Sequence, residues 1–303
     1  MAGAGRAGGH LITSAIEHEA VLATAHDLER EGFACTVVGV DADGRVRVED
    51  VLAAVRPDTF VVSVMLANNE VGTLQPVAEV AAALRPRGIA VHTDAVQAAA
   101  WLDVGVDSLG VDLMSLSAHK FYGPKGVGVL YVREGTNLLP VQTGGGQEGH
   151  RRAGTENVAG AVGLACALRR AAEDRAAVAP RLAALRDRLI DALTADPAIR
   201  LTGHRTQRMP NHVSLCVADV RADVLLLGLD MRGICASSGS ACSSGKVEPS
   251  HVLSAMGVPA ELASGALRLS LGRYTTDEDV DHVLAVLPQL AGALRGVGAV
   301  RRG

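Results

Sequence analysis

The sequence predicts an α/β protein whose first half forms a mainly parallel sheet with helices on both faces. Three observations support this fold class. Short runs rich in Val, Ile and Leu alternate with segments of helical periodicity through residues 1–132. The runs are apolar almost throughout, as strands covered on both faces are. Turn residues, such as DADG at 41–44, separate the runs from the helical segments.

The predicted elements place several polar motifs at one edge of the sheet. The strands are residues 10–16, 34–40, 59–66, 89–96, 113–117 and 126–132, and the helices are residues 20–32, 48–55 and 77–88. Ligands of such sheets bind at the carboxyl ends of the strands. ANNE at 67–70, HTDAVQ at 92–97 and SAHK at 117–120 all lie there, so we expect a ligand site at this edge.

The second half predicts a smaller C-terminal α+β domain. Residues 157–196 have helical periodicity and form either one long helix or two helices broken at Pro180. Strands follow at 211–217, 233–238 and 266–272, and helices at 222–233 and from Thr275, which has capping-box spacing to Glu278. We expect a large domain at 1–165 and, at 166–303, a bridging helix with a small domain.

The composition restricts the class of protein. Hydrophobic residues make up 48% of the 303 residues and aromatic residues 2%, so the core is aliphatic. A net charge of −4 without a Lys/Arg block argues against nucleic acid as a partner. No apolar run reaches membrane-span length and the N-terminus has no apolar signal core. We therefore expect a cytoplasmic protein with no membrane partner.

The five cysteines indicate free thiols. Cys35, Cys166, Cys216, Cys235 and Cys242 form no CxxC pair, so we expect neither a disulfide framework nor a metal site. The first four lie in apolar strands or an Ala-rich helix, where a thiol behaves as a small hydrophobe. Cys242 lies in SSGSACSSGK, whose composition predicts an exposed loop from which a thiol can reach a substrate. The alternative is an incidental loop cysteine.

Lys120 stands where an apolar strand ends, beside a histidine and a glycine-rich turn. One interpretation is a nucleophilic amine. Asp94 ends the strand before it, and Gln97 follows three residues later. A fixed carboxylate near an imine-forming lysine suits a pyridinium ring, which accepts electrons only while its nitrogen stays protonated. The alternative is that Asp94 caps the next helix. His18, after the first strand, can stack on a planar ring, although a lone histidine is more often an ordinary surface or core residue.

Other polar residues suit a phosphate and a substrate carboxylate. Ser117, His119 and Thr155 are hydrogen-bond donors for a phosphate. The glycine-rich segment at 144–157 adds backbone amides, although such segments are most often plain connections. Arg268 lies on a strand among apolar neighbours, and buried arginines of that kind usually bind a carboxylate through two parallel hydrogen bonds.

These residues occur in motifs that resemble the cysteine desulfurases of the NifS/IscS group, within the class V branch of fold-type I pyridoxal-phosphate enzymes. The similar stretches run in order through almost the whole chain: EHEAVL, VSVMLANNEVGTLQP, HTDAVQ, DLMSLSAHKFYGPKGVGVLYVR, GGGQE, RAGTENV, SSGSACSSG, EPSHVLSAMG and LRLSLGRYTTDEDVDH. Jointly they are very specific. The resemblance implies that the large domain binds pyridoxal 5′-phosphate.

The resemblance also implies a role for each candidate residue. Lys120 forms the imine with the cofactor and later moves protons, and Cys242 is the nucleophile that takes the sulfur. His18 stacks on the ring and assists as acid or base. The other implied roles are Asp94 at the ring nitrogen, Gln97 at the ring hydroxyl, Asn69 at the cofactor and the substrate carboxylate, Arg268 at that carboxylate, Ser117 and His119 at the phosphate, and Thr155 at the phosphate from the neighbouring subunit.

The implied activity is the conversion of L-cysteine to L-alanine, with the sulfur held as a persulfide on Cys242. The implied partners are a second copy in a homodimer and a sulfur acceptor, such as an iron–sulfur scaffold or a tRNA-thiolation protein. Two alternatives stay open. One is a selenocysteine lyase or other class V enzyme that does not need the thiol. The other is a catalytically impaired homologue that still binds a sulfur-accepting partner.

Two departures from the pattern of the group affect these expectations. Members begin with a further segment that carries a DNAATT-like strand and an SGGTEADN-like turn, which binds the phosphate at a helix N-terminus. This chain starts at MAGAGRAGGHLIT, so we expect a truncated chain with weaker cofactor binding. After GGGQE, Gly149 and His150 stand where the group has Arg-Gly. That difference affects the positioning of the loop and not the fold.

Overall fold

The computed structural model describes residues 8–238 and 250–300, with side chains as far as residue 295. The chain forms two compact units. Unit 1 consists of Met1–Gly39, Val46–Leu66 and Gln75–Arg175, and unit 2 consists of Val40–Arg45, Ala67–Leu74 and Ala176–Gly303. The two short stretches of unit 2 are the segments that follow the second and third strands of the chain.

Unit 1 is built on a six-stranded sheet. In chain order its strands are β1 (His10–Ser14), β2 (Ala34–Val38), β3 (Thr59–Ser63), β4 (Ala90–Asp94), β5 (Leu113–Ser117) and β6 (Gly128–Val132). The order across the sheet is β2-β1-β3-β4-β5-β6. The first five strands are parallel, and β6 pairs antiparallel with β5. The predicted α/β fold with a mainly parallel sheet is confirmed.

Helices connect successive parallel strands of unit 1. They are α1 (Glu19–Arg30), α2 (Val48–Ala53), α3 (Val77–Leu84) and α4 (Val106–Leu109), and a single turn, α5 (Gln147–His150), follows β6. After α3, Pro86 lies in a 3₁₀ turn that Gly88 closes with a φ of 66°. Each crossover brings the chain back to the end of the sheet where the previous strand began, so the parallel strands run in one direction. Their carboxyl ends therefore meet at one edge of the sheet.

Two buried histidines link neighbouring strands inside this sheet. On β1, both ring nitrogens of His10 lie within 2.8 Å of threonine hydroxyls on β2 and β3. On β4, His92 Nδ1 lies 2.8 Å from Ser63 Oγ, and Nε2 lies 2.9 Å from Ser115 Oγ. Burial lowers the pKa of both imidazoles, that of His92 to about 4. Each ring is therefore neutral at neutral pH and bonds to hydroxyls on both adjacent strands.

Unit 2 contains a three-stranded antiparallel sheet in the order β7-β8-β9. These strands are β7 (Ile199–Leu201), β8 (His212–Val217) and β9 (Ala266–Ser270), and the helices are α7 (Ala222–Asp230), α8 (His251–Ala255), α9 (Ala260–Ala263) and α10 (Asp277–Val300). Before them, α6 (Val158–Leu193) is one helix with Pro180 inside it, so the single-helix alternative is correct. No helix within the described ranges is long and apolar enough to cross a membrane.

The predicted strand at 233–238 is wrong. Within these residues the pairing is limited to an isolated antiparallel bridge between Ser237 and Arg268. Ile234 is buried and Cys235 is exposed. This stretch is therefore a connecting segment in which Ile234 is buried, and it is not a strand of the sheet.

The predicted cap of the last helix lies one residue away from its true position. Thr276 Oγ1 accepts a hydrogen bond from the Asp279 N–H (3.2 Å), and Asp279 Oδ2 accepts one from the Thr276 N–H (2.9 Å). Thr275 Oγ1 instead accepts from the Gly272 N–H. The helix has the predicted kind of reciprocal cap, but with Thr276 and not Thr275.

Candidate active site

Lys120 lies in a 3₁₀ turn, Ala118–Phe121, that directly follows β5. Ala118 and Phe121 are buried, whereas His119 and Lys120 are exposed. Tyr122 ends the turn with a φ of 66°, a left-handed conformation that non-glycine residues adopt only at some cost. The turn is thus anchored by its two apolar ends, and the amine of Lys120 is presented at the carboxyl end of β5.

Asp94 is the last residue of β4, the strand that pairs with β5. Burial raises the pKa of its carboxyl above the usual 3.8, and three effects oppose the rise: a hydrogen bond from the Val96 N–H and the charges of His18 and Lys120. His18 and Lys120 therefore lie within electrostatic range of Asp94. Asp94 Oδ1 accepts from the Val96 N–H at 2.9 Å, so the side chain also caps the turn that follows β4, although the next helix begins only at Val106.

His18 is positioned by the first turn of α1. It is the N-cap residue of that helix, and its Nδ1 accepts a hydrogen bond from the Ala20 N–H at 3.1 Å. Since Nδ1 acts as an acceptor, the proton of the neutral ring is on Nε2. The ring is half-buried beyond the carboxyl end of β1, and its bond to the first turn of α1 fixes its orientation.

Glu17, the residue before His18, is a buried carboxyl that the sequence did not reveal as special. Its side chain is 0% exposed, and Oε1 accepts from the Ser14 hydroxyl at 2.6 Å and from the Met65 N–H at 2.8 Å. Burial raises its pKa to about 8, and the charge of Asp94 contributes to the rise. Glu17 is therefore mostly protonated at neutral pH. Glutamates after a strand are usually solvated, so no local signal identifies this one.

The predicted phosphate donors are only partly brought together. Ser117 Oγ lies 2.9 Å from His119 Nδ1, on the same turn as Lys120. Gln97, which was predicted to bind the ring hydroxyl and not the phosphate, is half-buried in the turn after Asp94. Thr155 is exposed in the loop that precedes α6, so its predicted role toward a neighbouring subunit stays a prediction.

In unit 2, the two predicted substrate residues are in direct contact. Arg268 Nη1, from β9, donates a hydrogen bond to the backbone carbonyl of Asn69 at 2.9 Å. His212, from β8, reaches the same carbonyl with Nε2 at 3.2 Å. Burial lowers the pKa of His212 to about 3, so the ring is neutral and its Nε2–H is the donor. Gly72 packs against this ring: a Cβ there would lie 2.8 Å from His212 Nδ1, and its φ is +79°.

A second arginine, Arg208, is buried and binds the segment that contains Asn69 and Gly72. Arg208 is 3% exposed, and its Nη2 donates to the carbonyls of Val71 (2.7 Å) and Thr202 (3.0 Å). Burial lowers its pKa to about 10, with the nearby Arg186 adding to the effect. Neither Arg208 nor His212 was predicted as a site residue, because their importance comes from contacts with a turn more than a hundred residues earlier in the chain.

Cys242, the predicted nucleophile, lies outside the described residues, as do all of residues 239–249. The residues on either side are described. Ser237 pairs with the backbone of Arg268, and Ser250 is the N-cap of α8.

The side chains in unit 1 fit pyridoxal phosphate. The cofactor needs an amine for its aldehyde, a carboxylate for its ring nitrogen and donors for its phosphate. Lys120, Asp94 and the pair Ser117–His119 are of these chemical types and lie on adjacent strand ends. Burial raises the pKa of Asp94, which means that the surroundings stabilise its negative charge less well than water does. A pyridinium cation beside it would supply the missing stabilisation.

Comparisons with known proteins agree with this fit. The aminotransferase class-V family matches residues 2–283. A cysteine desulfurase IscS of Clostridium botulinum is 48% identical over 93% of this chain and 72% of its own length. Another, of Methanosarcina thermophila, is 49% identical over 96% of this chain and 72% of its own length. A solved NifS-like protein has a TM-score of 0.86 at 38% identity, covering 96% of this chain and 76% of its own.

These matches confirm the predicted resemblance to the NifS/IscS group. Class V aminotransferases and cysteine desulfurases use pyridoxal 5′-phosphate, so the predicted cofactor is confirmed at the level of the family. The grouping of Lys120, Asp94 and His18 in unit 1 agrees with the family match over residues 2–283, and the chain belongs to the aminotransferase class-V family.

Proposed function

We propose that this protein is a cysteine desulfurase that converts L-cysteine to L-alanine and keeps the sulfur as a persulfide on Cys242. The observation that carries the proposal is the grouping at the sheet edge, where the charges of Lys120 and His18 act on the half-buried carboxyl of Asp94. The names and similarity of the relatives support it. In this proposal residues 1–165 form the cofactor-binding domain and 166–303 the small domain.

The cofactor site is assigned to residues of unit 1. Lys120 is the amine that binds pyridoxal phosphate, and Asp94 holds the proton on the ring nitrogen. Gln97 is assigned to the ring hydroxyl, and the pair Ser117–His119 to the phosphate, with Thr155 contributing from a second subunit. When bound, the cofactor supplies an electron sink for the electrons left when a proton leaves the α-carbon of the substrate.

Proton transfer is assigned to Lys120 and His18. With the cofactor and substrate bound, the exposed Lys120 amine would be the group that accepts the α-proton. His18 has its Nε2–H directed away from the helix and is assigned to stacking and to proton transfer. Asp94 would hold the ring nitrogen of the cofactor, whose positive charge would oppose the rise that burial causes in the pKa of this carboxyl.

Substrate binding and sulfur transfer are assigned to unit 2. Asn69 and Arg268 hold the substrate carboxylate. The hydrogen bond from Arg268 to the Asn69 carbonyl keeps the two residues next to each other. The Cys242 thiolate attacks the substrate sulfur, so that a sulfur–sulfur bond forms as the carbon–sulfur bond breaks. The electron pair of the broken bond stays with the β-carbon, which takes up a proton, and alanine is released. A homodimer, a cytoplasmic location and an acceptor of the iron–sulfur scaffold or tRNA-thiolation kind are parts of the same proposal.

The test is the release of alanine from L-cysteine by purified protein with added pyridoxal phosphate. The parent should release alanine, and a strong reductant should liberate sulfide from it. Lys120→Ala and Cys242→Ala should each abolish turnover. If Cys242→Ala keeps full turnover, the protein is another class V enzyme, and L-selenocysteine is then the substrate to assay. If the parent releases no alanine from L-cysteine, the proposed activity is wrong.

A further inference from the structure

The turn at residues 68–71, which carries Asn69, is shaped by its own first residue. Asn68 Oδ1 accepts hydrogen bonds from the N–H groups of Glu70 (2.8 Å) and Val71 (2.9 Å). Such a turn closes on itself locally. Local bonds leave open how the turn is oriented relative to the rest of unit 2, so its orientation depends on contacts with distant residues.

Side chains from distant parts of unit 2 bind three consecutive residues of this turn. The Asn69 carbonyl accepts from Arg268 and His212, and the Val71 carbonyl accepts from Arg208. All three bonds go to backbone oxygens, so they would survive most substitutions in the turn. The contact at Glu70 is of a different kind, because it depends on the side chain of the turn residue itself.

Glu70 is a buried carboxylate with one specific long-range donor. It is 5% exposed, and its Oε2 accepts from the Ser250 hydroxyl at 2.5 Å. The two residues are 180 positions apart in the chain. Ser250 is itself 7% exposed and is the N-cap of α8, where its Oγ accepts from the Leu253 N–H at 3.2 Å. The hydroxyl is thus used in both directions, which leaves it one orientation.

We propose that Glu70 is a positioning residue of the substrate site: by accepting the Ser250 hydroxyl it fixes the turn at residues 68–71, and with it Asn69, to the start of α8. The inference rests on the proposed function, since the substrate role of Asn69 belongs to that proposal. Glu70 acts only through its neighbour Asn69. Its effect should therefore appear in the binding of the substrate carboxylate and not in the proton transfers at Lys120.

Three variants isolate the link. Glu70→Ala removes the acceptor, Ser250→Ala removes the donor, and Glu70→Gln keeps a side-chain oxygen that can accept the hydroxyl. Thr276→Ala is the matched control: it removes a helix N-cap of the same kind, at α10, without touching the turn. A double variant, Glu70→Ala with Ser250→Ala, tests whether the two residues act through each other.

The first readout is the affinity of the cofactor-loaded protein for L-alanine, measured by an absorbance titration. L-alanine has the carboxylate and amine of the substrate but no sulfur. A lost hydrogen bond to a buried carboxylate should raise the Kd of Glu70→Ala and Ser250→Ala about tenfold. The Kd of the double variant for L-alanine should be no higher than that of the single variant with the higher Kd. Glu70→Gln and Thr276→Ala should bind like the parent. With L-cysteine, KM should rise more than kcat falls.

The second readout needs no cofactor. Amide hydrogen exchange of peptides covering residues 66–74 should be faster in Glu70→Ala and Ser250→Ala than in the parent and in Thr276→Ala. The proposal is overturned if both single variants exchange like the parent in this segment, or if their effects on the Kd simply add. A parent that binds L-alanine but releases none from L-cysteine refutes the proposed function and leaves the positioning role standing.

Discussion

Substitution of Glu17 by glutamine should remove the alkaline loss of stability of unit 1. Glutamine keeps an oxygen that can accept from the Ser14 hydroxyl and the Met65 N–H, so both hydrogen bonds of the native carboxyl are retained. It has no proton to lose. The variant therefore changes the titration of this position and little else.

The size of the effect follows from the pKa of Glu17, which burial raises from 4.5 to about 8. Between these values the folded protein holds a proton that the unfolded chain has lost, so stability falls as the pH rises. The contribution is fully present below 4.5 and is lost as the pH passes about 8. One proton is worth about 1.4 kcal/mol per pH unit, so the unfolding free energy should fall by about 2 kcal/mol between about pH 6 and about pH 8.

The assay is urea unfolding of the cofactor-free protein at several pH values, followed by the fluorescence of Trp101. This is the single tryptophan of the chain, it is 9% exposed, and it lies in unit 1 with Glu17. Its signal should report a stability that falls with pH in the parent and stays nearly flat in Glu17→Gln. An equal slope in both proteins would refute the assignment of a buried, protonated Glu17.

Three further predictions concern single side chains. Asp94→Asn should weaken cofactor binding by about a hundredfold or more, measured by absorbance titration, since an amide cannot compensate the pyridinium charge; equal affinity would contradict the assigned role. Lys120→Ala should abolish alanine release and leave the free energy of unfolding within about 0.5 kcal/mol of the parent, because the side chain is exposed. The neutral His92 should make unit 1 less stable in acid: its contribution is complete above 6.5 and is lost as the pH falls toward about 4. His92→Gln should flatten this acid limb in the same fluorescence assay, and an unchanged limb would point to other groups.

Much of the fold could be predicted from local patterns. All six strands of unit 1 and three of its four connecting helices, α1, α2 and α3, lie where the apolar runs and helical segments indicate them. The short helix α4, between β4 and β5, was not predicted. The segment at 233–238 was predicted incorrectly, because a short apolar stretch with one buried residue has the same local appearance as a strand. The cap at Thr276 was displaced by one residue, since two adjacent threonines fit the same signal.

Only part of the candidate site could be predicted, because only some of its residues have a local signal in the sequence. Lys120 and Asp94 could be proposed because each lies where a strand ends, and parallel strands bring their ends to one edge. His18 received its role only from the resemblance to the NifS/IscS group. Glu70 was noticed as part of ANNE and was given no role. His212 and Arg208 had no signal in the sequence, because a histidine in a strand and an arginine in a loop are both ordinary features.

The amino-acid sequence by itself determined which chemical groups are available and which end of the sheet carries them. Strand periodicity and turn residues act over a few neighbouring positions, so they can be read from the sequence. Tertiary structure decided the protonation of Glu17 and His212, which depends on burial by residues from elsewhere in the chain. It also decided the bond between Glu70 and Ser250, which joins residues 180 positions apart in the chain. Desolvation and long-range contact exist only in the packed molecule, so no local pattern encodes them.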